Sequence, residues 1–181
     1  NKAGGIFGTS VKDTKNVCAI TVESCVNYGT VSAPKVAAGI VGRLGRAVQL
    51  EGMNYYVKNC INYGDVVAYT AIPYDKATLY IGGIAGYCYG GSLVPANGVV
   101  NCVNLGNINA DRSHLTGKSS LYIGGLVAYV NAANFECKNN VNAGLVTING
   151  EVTGMGNVIY NKKLEGATAE TNNYSVKAAE G

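Results

Sequence analysis

The chain has 181 residues, enough for one domain with a sizeable hydrophobic core. Charged residues make up only 14%, against about 25% in ordinary globular proteins, and the net charge of +3 comes from scattered basic residues. The sequence shows no basic patch for nucleic acid, and no apolar run reaches the roughly 18 residues that a membrane span needs. Because it lacks both an initiator Met and a signal peptide, we expect a mature or excised piece.

Two short motifs alternate along the chain and mark the predicted strands. The steps between successive asparagine motifs are 35, 42 and 38 residues. A repeat with constant motifs and a variable period indicates stacked strands joined by loops of different length. The glycine motif reads AGGIFG, AAGIVG, IGGIAG and IGGLVA (3–8, 37–42, 81–86 and 123–128), and the asparagine motif that follows it reads SCVNYGTV, NCINYGDV, NCVNLGNI and NNVNAGLV (24–31, 59–66, 101–108 and 139–146), with fainter copies at 152–159 and 172–176.

The segments between turn residues are rich in Val, Ile, Tyr and Thr, and no stretch repeats apolar residues at helical spacing. We therefore expect each repeat to form one coil of about three short strands. Coils stacked at the strand spacing of about 4.8 Å would form an all-β, right-handed parallel β-helix, or β-solenoid. The prediction is a single domain, 1–181, of four to five coils of 33 to 44 residues, approximately 1–35, 36–78, 79–120, 121–150 and, in degenerate form, 151–181.

Stacking the coils places equivalent residues in columns along the solenoid axis. Gly83 then lies in a column where a side chain would crowd the interior or where the backbone needs a positive φ. Asn104 lies in a column whose amides can bond from coil to coil, and asparagine also tolerates left-handed turn geometry. The predicted structural columns contain Gly5, Gly39, Gly83 and Gly125; Asn27, Asn62, Asn104 and Asn142; Gly29, Gly64, Gly106 and Gly144; and Cys25, Cys60 and Cys102, with Asn140 in the next place.

The six cysteines form no CxxC pair, which argues against a zinc site. The cysteine column is interpreted as buried free thiols, with disulfides between coils as the alternative. The neighbouring apolar column has the opposite parity along the strand, so one of the two must point outward. Either a corner separates them, or a second apolar face is covered by another sheet, a loop or another chain. This second column contains Val26, Ile61, Val103 and Val141.

The alternation of GGIAGY (82–87) with NCVNLGNI (101–108) resembles the GLUG-type repeats of large bacterial surface and secreted proteins. The resemblance covers residues 3 to 146 clearly and the C-terminal remainder weakly. It implies a parallel β-helix module, a stalk or adhesive role, and an extracellular or cell-surface location, with any catalysis in other domains. The chain departs from the family pattern in its cysteines, where small residues such as serine are usual, and in its longer loops.

Tyrosine gives the clearest binding signal, because it combines an apolar ring face with a hydroxyl and suits sugars and protein interfaces. The pairs Tyr28/Tyr63, Tyr80/Tyr122 and Tyr87/Tyr129 recur at equivalent repeat positions and are interpreted as structural. The candidate binding residues lie in or beside insertions and have no equivalents: Tyr55, Tyr56, Tyr74 and Tyr89.

Two further positions have a chemical signature. Asn173 begins an Asn-Tyr-Ser sequon and is a possible glycosylation site in a source that has such a pathway. His114 is interpreted as a solvated loop residue, because no nucleophile elbow accompanies it. No catalytic residue, metal ligand or cofactor is predicted.

The sequence therefore predicts a non-catalytic structural and adhesive repeat module. Its expected partners are other copies of itself, neighbouring repeat domains, a glycan or a host surface protein. Two alternatives stay open. The chain could be the subunit of an extracellular filament that assembles through solenoid ends or apolar faces. It could also be a carbohydrate-active enzyme, although its eleven acidic residues occupy non-equivalent repeat positions and show no pairing motif.

Overall fold

The computed structural model describes residues 2–9, 19–45, 52–69, 74–75, 78–89, 97–111, 115–116, 120–132, 135–148, 151–152, 159–162 and 169–175. Within these ranges the regular structure consists of 26 β-strands, and no helix occurs. In this part of the chain, accordingly, there is no helix of the length and apolar character that a membrane crossing requires.

Each of the first four coils contributes five short strands to the solenoid. The first coil has β1 (Lys2–Gly4), β2 (Phe7–Thr9), β3 (Ile20–Glu23), β4 (Val26–Asn27) and β5 (Val31–Ala33). The second has β6 (Val36–Ala38), β7 (Val41–Leu44), β8 (Tyr55–Lys58), β9 (Ile61–Asn62) and β10 (Val66–Ala68), followed by β11 (Tyr74–Asp75).

The remaining coils repeat this order. The third has β12 (Thr78–Gly82), β13 (Ala85–Tyr89), β14 (Asn97–Val100), β15 (Val103–Asn104) and β16 (Ile108–Ala110), followed by β17 (Leu115–Thr116). The fourth has β18 (Ser120–Gly124), β19 (Val127–Asn131), β20 (Phe135–Lys138), β21 (Val141–Asn142) and β22 (Val146–Ile148), followed by β23 (Glu151–Val152). The fifth has β24 (Ile159–Lys162), β25 (Ala169–Thr171) and β26 (Tyr174–Ser175).

Equivalent strands of successive coils pair in parallel and in register, so the predicted all-β parallel solenoid is confirmed. Within sheet β4–β9–β15–β21–β26, for example, Asn62 pairs with Asn27 and Asn104 pairs with Asn62. The strand β23 adds to β22 in the antiparallel sense, and β11 pairs with β17 outside the main sheets. The other main sheets are β1–β6–β12–β18, β2–β7–β13–β19–β24, β3–β8–β14–β20–β25 and β5–β10–β16–β22.

The coils contain five strands rather than the expected three, because the chain bends within the glycine motif and again at the start of the asparagine motif. The glycine motif bends between β12 and β13, and the asparagine motif bends between β14 and β15. At the second bend Asn101 has a φ of 55°, in the left-handed region. Its equivalents in the other coils share this conformation: Ser24, Asn59, Asn139 and Asn172.

The parity conflict between the cysteine and valine columns is resolved by ordinary strand alternation after this bend. The left-handed Asn101 precedes both columns, so its corner does not separate them: Cys102 points inward and Val103 lies on the outer side. Cys60 and Cys102 are buried, whereas Val26 is 41% exposed. Although asparagine tolerates left-handed geometry, Asn104 and its equivalents do not have a positive φ. The asparagine three positions earlier takes that conformation.

The side chains of the Asn104 column form a buried ladder along the axis. The Nδ2 of Asn27 donates to the Oδ1 of Asn62 at 2.8 Å, and Asn62 donates to Asn104 at 2.7 Å. Asn104 donates in turn to Asn142 at 2.8 Å. Each amide also donates to the carbonyl of the glycine two residues later, as Asn62 does to Gly64 at 2.7 Å. We call this column the inner ladder.

The left-handed asparagines form a second column on the solvent side, which we call the outer ladder. Asn101 donates to the Oδ1 of Asn59, and Asn139 donates to the Oδ1 of Asn101, both at 3.1 Å. Asn172 donates in the same way to the Oδ1 of Asn139. At the other end of the column, the Nδ2 of Asn59 donates to the carboxylate of Glu23 at 3.0 Å. Both ladders follow from in-register stacking, because only equivalent residues come within bonding distance.

The glycine motif presses directly against the inner ladder. A Cβ added at Gly83 would lie 2.4 Å from the Cγ of Asn104 and 2.2 Å from the carbonyl oxygen of Gly125. Gly39 stands in the same relation to Asn62, and Gly5 to Asn27. Close approach is therefore the reason for these glycines, since among the described glycines only Gly45 and Gly52 have a positive φ.

This contact divides the hydrophobic interior into two clusters. One cluster contains Ile84, Val99 and Leu126, and is built mainly on the second and third strands of each coil. The other contains Ile81, Ile108 and Ile123, and is built on the first and fifth strands. The inner ladder lies at the boundary, where its buried amides satisfy one another instead of remaining unpaired among apolar side chains.

The cysteine column supplies hydrogen-bond donors to the preceding coil. Cys60 Sγ lies 3.6 Å from the carbonyl oxygen of Val22, and Cys102 Sγ lies 3.7 Å from that of Val57. Asn140, the next member, donates to the equivalent carbonyl of Val99 at 2.9 Å. Its Oδ1 also accepts from the backbone N–H of Cys102 at 2.8 Å. Asparagine thus replaces cysteine in this column because both donate to the same carbonyl position.

Replacing Asn140 by Val should lower the free energy of unfolding by about 2 kcal/mol or more, because the Val99 carbonyl and the Cys102 N–H would be buried without partners. Asn140→Cys restores a donor for the Val99 carbonyl, as in the earlier coils, and should lower the free energy of unfolding by less than Asn140→Val does. Denaturant unfolding under reducing conditions measures both variants. Equal losses would show that the donor is not what this position requires.

Candidate functional site

The glycine motif produces a concave groove on the outer surface of the solenoid. Its inner side contacts the inner ladder, so the chain bends inward between β12 and β13. The outward-facing Tyr80 of β12 and Tyr87 of β13 meet across this bend, with ring centroids 4.7 Å apart and an interplanar angle of 83°. The residues that flank the glycine motif in each coil therefore line one continuous groove.

Tyrosine rings stack along the groove through two coils. Tyr80 stacks on Tyr122 with centroids 5.3 Å apart, and Tyr87 stacks on Tyr129 with centroids 4.8 Å apart. Tyr89 joins the same cluster, with its ring centroid 4.2 Å from that of Tyr87. The repeat tyrosines, interpreted as structural, and Tyr89, predicted to bind a ligand, thus belong to one surface.

The stack is interrupted one coil before Tyr80. Backbone register places Val36 beside Tyr80 and Arg43 beside Tyr87, so neither column has a ring in the second coil. A cavity of about 170 Å³ opens at this position. It is lined by Lys2, Val36, Arg43, Tyr80, Tyr87 and Tyr89.

The cavity has a positive electrostatic character. The guanidinium carbon of Arg43 lies 4.4 Å from the ring centroid of Tyr89, which is cation–π geometry. Arg43 Nε is buried and finds no hydrogen-bond partner among the described residues. Lys2, which also lines the cavity, is exposed, and no acidic side chain of the described ranges lines it. The site therefore offers cationic donors beside aromatic faces.

Burial within the ring cluster raises the pKa of two tyrosine hydroxyls in the groove. Desolvation, reinforced by the neighbouring Tyr129, Tyr122 and Tyr89, raises the pKa of Tyr80 to about 12. Desolvation also raises the pKa of Tyr87, whose hydroxyl oxygen accepts from Asn131 Nδ2 at 3.5 Å. At neutral pH both hydroxyls are neutral, as they would be at the ordinary tyrosine pKa of 10.0, and each can both donate and accept a hydrogen bond.

The other tyrosine candidates lie apart from this groove. Tyr55 is only 1% exposed and packs in the core, where its hydroxyl lies 3.5 Å from Met53 Sδ. The prediction that Tyr55 binds a ligand is wrong, because its inward position on β8 leaves no accessible ring face. The side chain of Tyr74 and the whole of His114 lie outside the described residues.

Tyr56 belongs to a separate surface cluster on the sheet that contains β8. Its hydroxyl donates to Glu136 Oε2 at 3.4 Å, two coils away. Gly98, which lies between them in register, has no side chain to block this contact. Lys58 Nζ lies 4.1 Å from the Tyr56 ring centroid, and Lys138 forms an ion pair with Glu136 at 2.8 Å. Glu136 thus occupies the hydroxyl of Tyr56, and Lys58 covers one face of its ring.

Asn173 lies in the cysteine column rather than on a free surface. Its Nδ2, the atom that glycosylation would modify, donates to the carbonyl oxygen of Cys137 at 2.6 Å. Its Oδ1 accepts from the Nδ2 of Asn140 at 2.9 Å. Modification at this sequon would therefore have to precede the docking of the fifth coil.

The described cysteines are free thiols and play a structural part. Burial, followed by the neighbouring Cys137, raises the pKa of the Cys88 thiol. The neighbouring Cys60, followed by burial, raises the pKa of Cys102. Cys18 lies outside the described residues. No group of three or more His, Cys, Asp and Glu side chains in the described ranges could hold a metal ion. The free cysteines are Cys25, Cys60, Cys88, Cys102 and Cys137.

The residues that sequence reasoning missed at this site are Lys2, Val36 and Arg43. A signal for them exists in the repeat alignment. With one flanking residue on each side, the four glycine motifs read KAGGIFGT, VAAGIVGR, YIGGIAGY and YIGGLVAY. The two flanking residues are Lys and Thr in the first coil, Val and Arg in the second, and Tyr and Tyr in the third and fourth. Reading both flanks together would have identified the groove and the interruption.

Comparison with known proteins identifies no relative of the chain: no family model, no curated protein and no solved structure matches it. The groove must therefore be interpreted from its own geometry.

The free energy of unfolding should fall as the pH rises from about 10 to about 12. In this window the unfolded chain has released the Tyr80 proton, at the ordinary pKa of 10.0, while the folded chain retains it until about 12. Folding therefore becomes less favourable with rising pH. Denaturant unfolding measured at several pH values in this range should show that the free energy of unfolding falls less steeply with pH for Tyr80→Phe than for the wild type. Tyr69→Phe, at an exposed site outside the groove, should keep the wild-type slope.

Proposed function

We propose that the chain is a non-catalytic structural and adhesive module of a cell-surface or secreted protein. The observation that supports this proposal best is the groove of stacked tyrosines, which ends in a cavity lined by Arg43 and Lys2. The resemblance of the alternating glycine and asparagine motifs to GLUG-type repeats favours the same role. The expected partners are neighbouring repeat domains and a glycan or surface protein.

The structural part of the proposal is supported by the way the coils are held together. Successive coils bond to one another through the parallel sheets and both asparagine ladders. A solenoid of this kind has one extended axis and few contacts between distant coils. Such an object is suited to act as a stalk that presents its outer surface.

The adhesive part is favoured over hydrolysis by the residues of the groove. Glycoside cleavage generally requires a pair of carboxylates that flank the scissile bond. Among the described residues, the cavity contains tyrosines, cations and a valine, and no acid. These side chains can hold a ligand by stacking and charge, but they supply no general acid of the usual kind.

Adhesion can be tested with the purified protein on arrays of glycans and surface proteins. We expect saturable binding that Tyr89→Ala weakens about tenfold, because the ring contributes stacking and holds Arg43 in place. Tyr69→Ala, an exposed tyrosine outside the groove, is the matched control and should bind as the wild type does. Binding that is absent, or equally reduced in both variants, would contradict the adhesive role.

A second candidate function, the filament subunit, is favoured by an exposed apolar face. On the sheet that contains β4, Tyr28 is 76% exposed and stacks on Tyr63 with centroids 5.0 Å apart. Three neighbouring outward columns contribute to this face, through equivalents of Val26, of Tyr28 and of Leu145. Its most exposed members are Val26, Tyr28, Tyr63, Leu105, Leu145 and Tyr174.

Negative-stain electron microscopy of the purified protein tests this candidate directly. If copies associate through the apolar face, regular fibres or paired rods should form, and Tyr63→Glu should disperse them by placing a charge in the interface. Ser32→Glu, at an exposed position on the sheet that contains β5, serves as the control. Isolated short rods for the wild type would rule out the filament.

A further inference from the structure

The cavity occupies the place of a missing ring in the tyrosine stack. One face of Tyr80 is covered by Tyr122, and the opposite face points toward the preceding coil. There, the shorter Val36, 5% exposed, replaces tyrosine. Tyr80 and Val36 both line the cavity, which therefore lies where the next ring of the stack would begin.

The rim of the same cavity carries a guanidinium group with one unsatisfied buried donor among the described residues. Arg43 takes the register position of Tyr87 and turns its guanidinium over Tyr89. Its buried Nε has no acceptor in the described part of the chain. A buried donor that forms no hydrogen bond costs free energy, and the carboxylate of a bound ligand would accept a hydrogen bond from it. Lys2 adds a second cation to the cavity lining.

We propose that this cavity binds a pyranose ring that carries a carboxylate, as hexuronic and sialic acids do. The ring stacks on Tyr80 in the place of the missing rung, and the carboxylate points to Arg43 and Lys2. This inference rests on the proposed adhesive function and names the ligand class of its site.

The size and polarity of the cavity favour a sugar. A cavity of about 170 Å³ is smaller than the roughly 300 Å³ at which drug-sized pockets begin, so it accommodates one ring unit. The C–H face of a pyranose packs on tyrosine, while its hydroxyls can bond to the neutral hydroxyls of Tyr80 and Tyr87. The planar guanidinium matches a carboxylate in a bidentate arrangement.

Calorimetric titration with defined oligosaccharides tests the proposal. A galacturonate oligomer and sialyllactose are the acidic probes, and lactose is the neutral control. We expect at least one acidic probe to bind, lactose to bind at least tenfold more weakly, and the affinity to fall with added salt. The preferred acidic probe then identifies the source of the sugar.

Two variants locate the binding. Val36→Tyr supplies the missing ring, as Tyr80 and Tyr122 do in the next coils, and should abolish binding while the protein stays folded. Arg43→Gln should weaken acidic probes about tenfold and leave weak lactose binding unchanged. Lys58→Gln is the matched control, because Lys58 makes a similar cation–π contact with Tyr56 on another sheet. Circular dichroism and the unfolding midpoint confirm that each variant is folded.

The outcomes separate this inference from the proposed function. Groove-dependent binding of only neutral glycans or of a protein would overturn the acidic-sugar assignment and leave the adhesive role intact. Acidic-sugar binding that survives Val36→Tyr would place the site elsewhere and overturn the inference. Absence of any groove-dependent ligand would contradict both proposals.

Discussion

The architecture depends on one constraint: amide groups that are buried among apolar side chains must find hydrogen-bond partners. The inner ladder meets this constraint only when Asn62 lies directly above Asn27 and directly below Asn104. A strand shifted by one residue would leave several buried amides unpaired and would also turn the apolar side chains outward. The polar interior therefore fixes the register of the coils more strictly than the hydrophobic clusters alone could.

The same constraint connects the interior to the outer surface. Because Gly39 and Gly83 have no side chains, the backbone of the glycine motif can touch the ladder and bend inward. The bend brings the flanking residues of two sheets together on the outside. An internal requirement for amide pairing thus creates an external concave surface, and the chemistry of that surface is set by two positions per coil that the core does not constrain.

Much of the fold could be predicted from the sequence, because in-register stacking converts a linear repeat into columns. The parallel solenoid and the coil-to-coil neighbours of Asn104 follow from motif spacing alone. The corner at Asn101 could not be predicted, since both asparagines of the motif tolerate left-handed geometry and only the burial of the second distinguishes them. Tyr55 was misassigned because an insertion residue can still point inward when β8 continues its alternation. The groove was missed because it joins residues from two sheets, and the repeat was read one column at a time.

The two asparagine ladders also differ in direction. Along the inner ladder each Nδ2 donates toward the following coil, from Asn27 to Asn62 and onward. Along the outer ladder each Nδ2 donates toward the preceding coil, from Asn139 to Asn101 and then to Asn59. Aligned amide dipoles add along a column, as peptide dipoles do in a helix. Because these two columns run in opposite senses, their axial dipoles oppose each other. The rod thus gains the cohesion of two amide stacks without building up an electrostatic polarity between its ends.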